Sequence, residues 1–255
     1  MSWSASQYAT FERERTRPVR DLLNAVETAP VRRAIDLGCG PGNSTEVLAA
    51  RFPDAAIQGL DSSPDMIEAA RNRLPGISFE LADISSFHGT GLDVILANAV
   101  LQWVPHHEKL LPRLMESLAP GGSLAVQMPD NLEEPAHRLM RELAATPRFA
   151  TQITGAANSR QPRLDAAWYY RLLRPLTSRF DIWRTTYHHI LPGGPDAVVE
   201  WFKGSGLRPF LAPLDEQARQ EFLHDYRTAL ADAYPQLPDG SVMLPSPRLF
   251  FVAVR

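Results

Sequence analysis

Short apolar runs closed by glycine, proline or a polar turn alternate with amphipathic stretches along the first half of the chain. Residues 33–37, 55–60, 77–81, 92–97 and 123–128 are runs of strand length. Between them, 45–52, 63–74 and 108–118 carry helical patterning, as does 12–29 ahead of the first run, where Val19, Leu22, Leu23 and Val26 fall at three- and four-residue spacing. Pro64 near the first turn of 63–74 suits a helix start. Strand–helix alternation of this kind predicts a parallel sheet with helices on both faces. The near-continuous apolar strands agree, because parallel strands are buried on both sides. Ligands in such sheets bind beyond the carboxyl ends of the strands, at a switch point in strand order. Function is therefore expected in the loops at 38–45, 61–66, 82–84, 98–103 and 129–131.

After residue 130 the alternation stops. Residues 133–146, 165–176, 196–203 and 216–234 read as helices, while 180–191 is a long aromatic and β-branched strand and 249–254 a closing one. There is no internal repeat and no low-complexity stretch.

Composition narrows the class. The 255 residues are 44% hydrophobic and 22% charged, an ordinary globular balance. No apolar run approaches the roughly 20 residues of a membrane-spanning helix, and residues 1–18 lack the apolar stretch of a secretory leader. With one cysteine, Cys39, a disulfide scaffold is impossible. A reducing cytoplasm is expected. The net charge of −3 gives no reason to expect nucleic acid as a partner. Its distribution is uneven: −5 over 1–130, +4 over 131–210 and −2 over 211–255.

The chemistry starts at Ala-Ile-Asp-Leu-Gly-Cys-Gly-Pro-Gly-Asn-Ser-Thr, residues 34–45: a strand, a glycine loop and a helix start. Glycines at 38, 40 and 42 allow backbone to approach a ligand where a Cβ would collide. A dinucleotide fingerprint needs glycine at position 43, where Asn43 stands, and no Walker loop exists. An acid at the end of the first strand followed by this loop resembles motif I of the class I S-adenosylmethionine-dependent methyltransferases. Asp61 ends the second strand 23 residues after Gly38, where a ribose-binding acid belongs; helix capping by Ser62 or Ser63 is the competing reading of that turn. Asp83 and Ile84 follow the third strand, placed to meet an adenine amine and ring face, or to form an ordinary turn. The stretch 98–104, with Asn98, Leu101 and Trp103, follows the fourth strand. Trp103 there faces either the methionine end of the cofactor or the core.

DLGCGPGNST, GLDSSPDMI, ADI, NAVLQWV, AVQMPDN, DIWRTTYHH, GLRPF and SPRLFFVAVR together, over nearly the whole chain, resemble a narrower branch of that family. Its members esterify an unsaturated tricarboxylate, trans-aconitate. Trp3, Tyr8, Phe11 and Arg17-Pro18 match the branch too, whereas 146–164 departs from it. The resemblance implies a doubly wound, mostly parallel, seven-stranded α/β sheet in one domain over 1–255. An N-terminal helical lid would occupy 1–30 and the cofactor-binding core 31–130. A helical cap would come from inserts at 131–182 and 192–246, with closing antiparallel strands at 183–191 and 247–255.

It also implies S-adenosylmethionine as cofactor, held by Trp3, Tyr8, Arg17, Asp36, Gly38, Gly40, Asn43, Asp61, Ser62, Met66, Asp83, Ile84, Asn98, Leu101 and Trp103. The reaction implied is methyl transfer to a carboxylate, leaving a monomethyl ester and S-adenosylhomocysteine. A carboxylate is ionised at pH 7 and already nucleophilic, so no general base is expected and the task is positioning, which can supply about 7–11 kcal/mol. A trianionic acceptor needs cations, and arginine pairs with a carboxylate through two hydrogen bonds. The basic segment supplies Arg160, Arg163, Arg184 and Arg208; Arg248 opens the last strand, and Tyr170, Tyr187 and His188 are further donors. Arg184, Tyr170, His188, Arg160 and Arg248 form the preferred acceptor set. His106 and His107 are expected in a loop without chemistry. No Cys, His or Asp spacing resembles a metal site. The partner expected is a small polycarboxylate, with no nucleic acid or membrane, the chain acting as a monomer or weak dimer. The alternatives are an O-methyltransferase for another anionic or phenolic acceptor, a non-catalytic cofactor-binding regulator, and an NAD-dependent dehydrogenase, which Asn43 disfavours.

Overall fold

A computed structural model describes residues 12–156 and 164–255, with side chains from Thr16 onward. Trp3, Tyr8, Phe11, Arg160 and Arg163, residues 1–11 of the expected 1–30 lid, and part of the divergent 146–164 stretch lie outside the described residues.

The first half alternates as its pattern predicts: α1 (Glu12–Asn24), β1 (Arg33–Leu37), α2 (Asn43–Arg51), β2 (Ala56–Asp61), α3 (Pro64–Arg73), β3 (Ser78–Leu81), β4 (Leu92–Asn98), α4 (His107–Ser117) and β5 (Leu118–Pro129). Short 3₁₀ turns follow β3 (Ile84–Ser86) and β4 (Leu101–Trp103). The rest is α5 (Pro135–Ala144), α6 (Ala166–Leu173), β6 (Arg179–Leu191), α7 (Pro195–Lys203), the single turn α8 (Arg208–Leu211), α9 (Glu216–Ala233) and β7 (Val242–Val254).

The seven strands run in the order β3-β2-β1-β4-β5-β7-β6. β1 to β5 are parallel, and β1 sits between β2 and β4, with Asp36 level with Gly59 on one side and Leu96 on the other. Strand order reverses there, so the carboxyl ends of β1 and β4 border the switch point. β7 runs antiparallel to β5: Gly121 N–H donates to Arg255 O at one end and Asp130 N–H to Pro247 O at the other.

Several boundaries differ from the sequence reading: the first helix stops at Asn24 instead of 29, and β6 begins at Arg179 instead of 183. β5 begins at Leu118, ahead of Pro120-Gly121-Gly122, because a register shift absorbs that turn: Leu118 faces Leu92 while Ser123 already faces Val94. A Cβ on Gly122 would stand 2.7 Å from Leu92 O, so only glycine passes. β7 begins at Val242, well before residue 247, since Pro245 and Pro247 give an extended segment the composition of a loop. His107 is the first residue of α4 and is buried, not a loop residue; His106 precedes it in a left-handed conformation (φ 60°), exposed beside Glu108.

The chain forms two compact units. The first comprises 1–128, 163–185 and 249–255. Its core is Ile35, Leu37, Ile95, Leu111, Leu124, Tyr169 and Phe251 with their neighbours. The second comprises 129–162 and 186–248. Within it, α9 buries Phe222, Tyr226 and Leu230, and Phe222 meets Phe149 edge-on at 5.2 Å. The hydroxyls of Tyr226 and Tyr234 bracket one residue of α5: Tyr226 donates to Ala136 O and Tyr234 accepts from Ala136 N–H.

Candidate active site

The glycine loop between β1 and α2 is the best-defined feature of the first unit. Gly38, Gly40 and Gly42 all have positive φ (70°, 53° and 91°). A Cβ on Gly38 would lie 2.3 Å from Val100 Cγ2, so this glycine is fixed by packing. At Gly40 a Cβ would meet nothing within 4 Å: the backbone there faces open space. One glycine makes the loop possible, and the other leaves room in front of it.

Asp36, fully buried on β1, anchors the loop from behind. Its Oδ2 accepts from Ser44 Oγ and Thr45 Oγ1, both at 2.7 Å, at the start of α2. Its Oδ1 is buried without a hydrogen-bond partner. Burial pushes this carboxyl up to about 6; the two hydroxyls oppose the shift, and the charge of Asp61 adds to it. Asp36 therefore shapes the loop and presents no surface of its own.

Asp61 closes the opposite side. Its Oδ2 accepts from Gly40 N–H and its Oδ1 from Ser63 N–H, each at 2.9 Å. The first bond ties β2 to the glycine loop. The second makes Asp61 the turn-former before α3, whose N-cap residue Ser63 makes no side-chain cap. Each oxygen keeps acceptor capacity for a ligand hydroxyl. Arg73 on α3 bridges to Glu46 on α2 through Nη2 at 2.7 Å, holding together the two helices that flank the loop. Met66 is buried in α3 and Ser62 is exposed.

The third and fourth loops complete the group. Asp83 is exposed and caps the Ile84–Ser86 turn, its Oδ1 accepting from Ser85 N–H at 2.7 Å. That bond, with a second from the Ser85 side chain, holds its carboxyl below the usual range and fits the turn reading. Ile84 is buried beneath it. After β4, Asn98 Oδ1 is buried without a hydrogen-bond partner, as is Asn43 Oδ1 on the glycine-loop side. Ala99 takes φ 52°, and the 3₁₀ turn follows. Leu101 is wholly buried in the core, so it offers a ligand no side-chain surface. Trp103 is 37% exposed, which removes the core reading for it.

Thus Asp36, Gly38, Gly40, Asn43, Asp61, Ser62, Met66, Asp83, Ile84, Asn98, Leu101 and Trp103 all lie at the carboxyl ends of β1 to β4, on the last residues of those strands, in the loops after them or in the turn that opens the next helix. Arg17 lies exposed on α1, 3.9 Å from Asp21. Of the acceptor set, Arg184 is exposed on β6 and Tyr170 is exposed on α6 with its ring edge-on to Phe180. His188 is exposed, whereas His189 is buried against Trp201, ring centres 4.6 Å apart. Arg248 is half-buried, Arg208 likewise, and Tyr187 is buried. Among the described residues no group of His, Cys, Asp and Glu is placed to hold a metal ion, and no helix is long and apolar enough to cross a membrane.

Sequence reasoning missed Ser44, Thr45 and Val100. Two adjacent hydroxyl residues in the first turn after a glycine loop were a usable signal for an anchored acid behind it. Nothing along the chain places Val100 against Gly38.

Comparison with known proteins adds to this geometry. Residues 31–188 match the family model described as a methyltransferase domain, which gives the class. The chain is 58% identical over 254 residues to trans-aconitate 2-methyltransferase of Methylobacterium nodulans, covering 99% of this chain and 98% of that one. It is 51% identical to the enzyme of the same name from Afipia carboxidovorans, covering 99% of each. The chain belongs to the trans-aconitate 2-methyltransferase family. Among solved structures, the YcgJ protein of Bacillus subtilis superposes with a TM-score of 0.61 at 11% identity, covering 94% of this chain and 98% of that one, a likeness of fold.

Proposed function

We propose that this protein transfers a methyl group from S-adenosylmethionine to a carboxylate of trans-aconitate, releasing the monomethyl ester and S-adenosylhomocysteine. The observation that carries the reading is full-length identity of 58% to a relative of that name, spread over both units of the chain. The loops fit the cofactor on their own terms. Gly40 opens onto free space, Asp61 retains acceptor capacity beside it, and the unpartnered oxygens of Asn43 and Asn98 call for a donor.

When bound, the cofactor supplies a methyl group already activated on a sulfonium. With it bound, Asp61 would accept from its ribose hydroxyls, Asp83 and Ile84 would meet its adenine, and the turn carrying Trp103 would face its methionine end. Arg17, exposed on α1, is a further candidate for contact with the cofactor. An acceptor carboxylate held in line with that group would take the methyl through oxygen, the electron pair of the carbon–sulfur bond leaving with sulfur. No proton moves, so no side chain serves as base. Arg184 is the first candidate for pairing with a remaining carboxylate, and Tyr170, His188 and Arg248 are further candidates. The protein acts in the cytoplasm on a small molecule, as a monomer or weak dimer, without a nucleic-acid or membrane partner.

A labelled methyl donor offered with trans-aconitate, citrate, isocitrate and simple phenols tests the assignment. Trans-aconitate is methylated well above the others. Preferential labelling of a phenol returns the alternative, an O-methyltransferase for another acceptor.

A further inference from the structure

Gly38 is closed by Val100, and Trp103 is carried by the same turn, so the cofactor loop and the turn after β4 share one wall. Something must hold that wall, because the turn starts from a strained residue. Ala99 sits at φ 52°, a conformation that disfavours any side chain. Local bonds contribute: Ala99 N–H donates to Gln127 O, Gln102 Nε2 to Ala99 O, and Val104 N–H to Leu101 O.

The remaining support is a buried polar chain. His107, at the start of α4, places Nε2 2.9 Å from Leu101 O and Nδ1 3.0 Å from the hydroxyl of Tyr169 on α6. A carbonyl only accepts, so Nε2 carries the hydrogen. The second hydrogen bond joins Nδ1 to the Tyr169 hydroxyl. Leu101 O thereby takes two donors, the Val104 amide and the His107 ring. Tyr169 is fully buried, flanked by Trp168 and Phe251, with Met128 Sδ 3.7 Å from its hydroxyl. The chain ends on the carbonyl that fixes the turn.

We propose that Tyr169 and His107 form a positioning relay for methyl transfer: by holding Leu101 O they fix the 99–104 turn, and with it Val100 against Gly38 and Trp103 at the reacting end. The inference rests on the methyltransferase reading above. Near-attack geometry is sensitive to displacements of an ångström, which can cost about a hundredfold in rate.

The test uses His107→Leu, His107→Gln, Tyr169→Phe and the double variant His107→Leu/Tyr169→Phe in the full chain. Each is assayed well below its own melting temperature. Gln returns a nitrogen donor to the Nε2 position; Leu keeps bulk without it. The relay predicts that His107→Leu lowers kcat with trans-aconitate at least tenfold while its KM changes less than threefold, and that His107→Gln recovers to within about threefold of wild type. Tyr169→Phe falls between them, and the double variant is no worse than His107→Leu alone. Calorimetry with S-adenosylhomocysteine gives a readout independent of the acceptor: His107→Leu weakens binding several-fold and His107→Gln does not. Equal behaviour of His107→Leu and His107→Gln in both measurements overturns the relay. If wild type binds S-adenosylhomocysteine but does not methylate trans-aconitate, the acceptor assignment fails and calorimetry alone decides the relay.

Discussion

At the residue scale, the two glycines separate stability from binding. Gly38→Ala puts a Cβ into Val100 at a left-handed φ, so it destabilises the fold by more than the ~1–2 kcal/mol of left-handed strain alone. Gly40→Ala meets no protein atom, so denaturant unfolding shifts by little more than that strain while affinity for S-adenosylhomocysteine falls steeply. Similar loss of stability in both variants contradicts this division. Asp36 gives a second test. Burial raises its carboxyl from 3.8 to about 6, so the ionised form is the costly one in the folded state. The stability this contributes is complete below pH 4 and fades as pH rises through 6, by on the order of 3 kcal/mol. Unfolding of wild type and Asp36→Asn between pH 4 and 8 should therefore diverge toward acid, with wild type gaining; parallel curves would refute the assignment. Arg184→Ala should raise the KM for trans-aconitate far more than it changes cofactor affinity. The glycines, Asp36 and Asp61 were legible because their chemistry is written into spacing and strand ends. Val100, Ser44 and Thr45 matter through contacts that only the fold creates.

At the element scale, strands buried on both faces were legible to within a residue or two, since nothing but a sheet interior explains β1 or β4. β7 was cut short because its first half alternates and carries prolines, and β5 because its glycine turn is folded into the strand by a register shift. His107 was misread for a similar reason: adjacent histidines after a proline look like surface loop, and only the packing of α6 over α4 turns one of them inward. Capping is set by near neighbours alone. Asp215 Oδ1 accepts from Ala218 N–H at 2.8 Å at the start of α9. Asp215→Ala should cost about 1 kcal/mol in denaturant unfolding and leave S-adenosylhomocysteine affinity unchanged, because α9 belongs to the second unit.

At the scale of the whole molecule, the charge distribution follows the division of labour proposed here. The cofactor loops lie in an acidic stretch, −5 over 1–130, and the residues proposed for the acceptor come mostly from the basic one, +4 over 131–210. The sequence displayed that asymmetry but not which arginines face an acceptor, because an arginine's direction depends on the tertiary path of β6 and of the segments around it. In the proposed reaction a carboxylate already ionised takes the methyl group with no base removing a proton. The pH dependence of kcat, measured with both substrates saturating, tests it most directly. With trans-aconitate, kcat should stay level between pH 7 and 9; a tenfold rise per pH unit over any part of that range would mean that a proton must leave before the methyl can be taken, and the claim would fall.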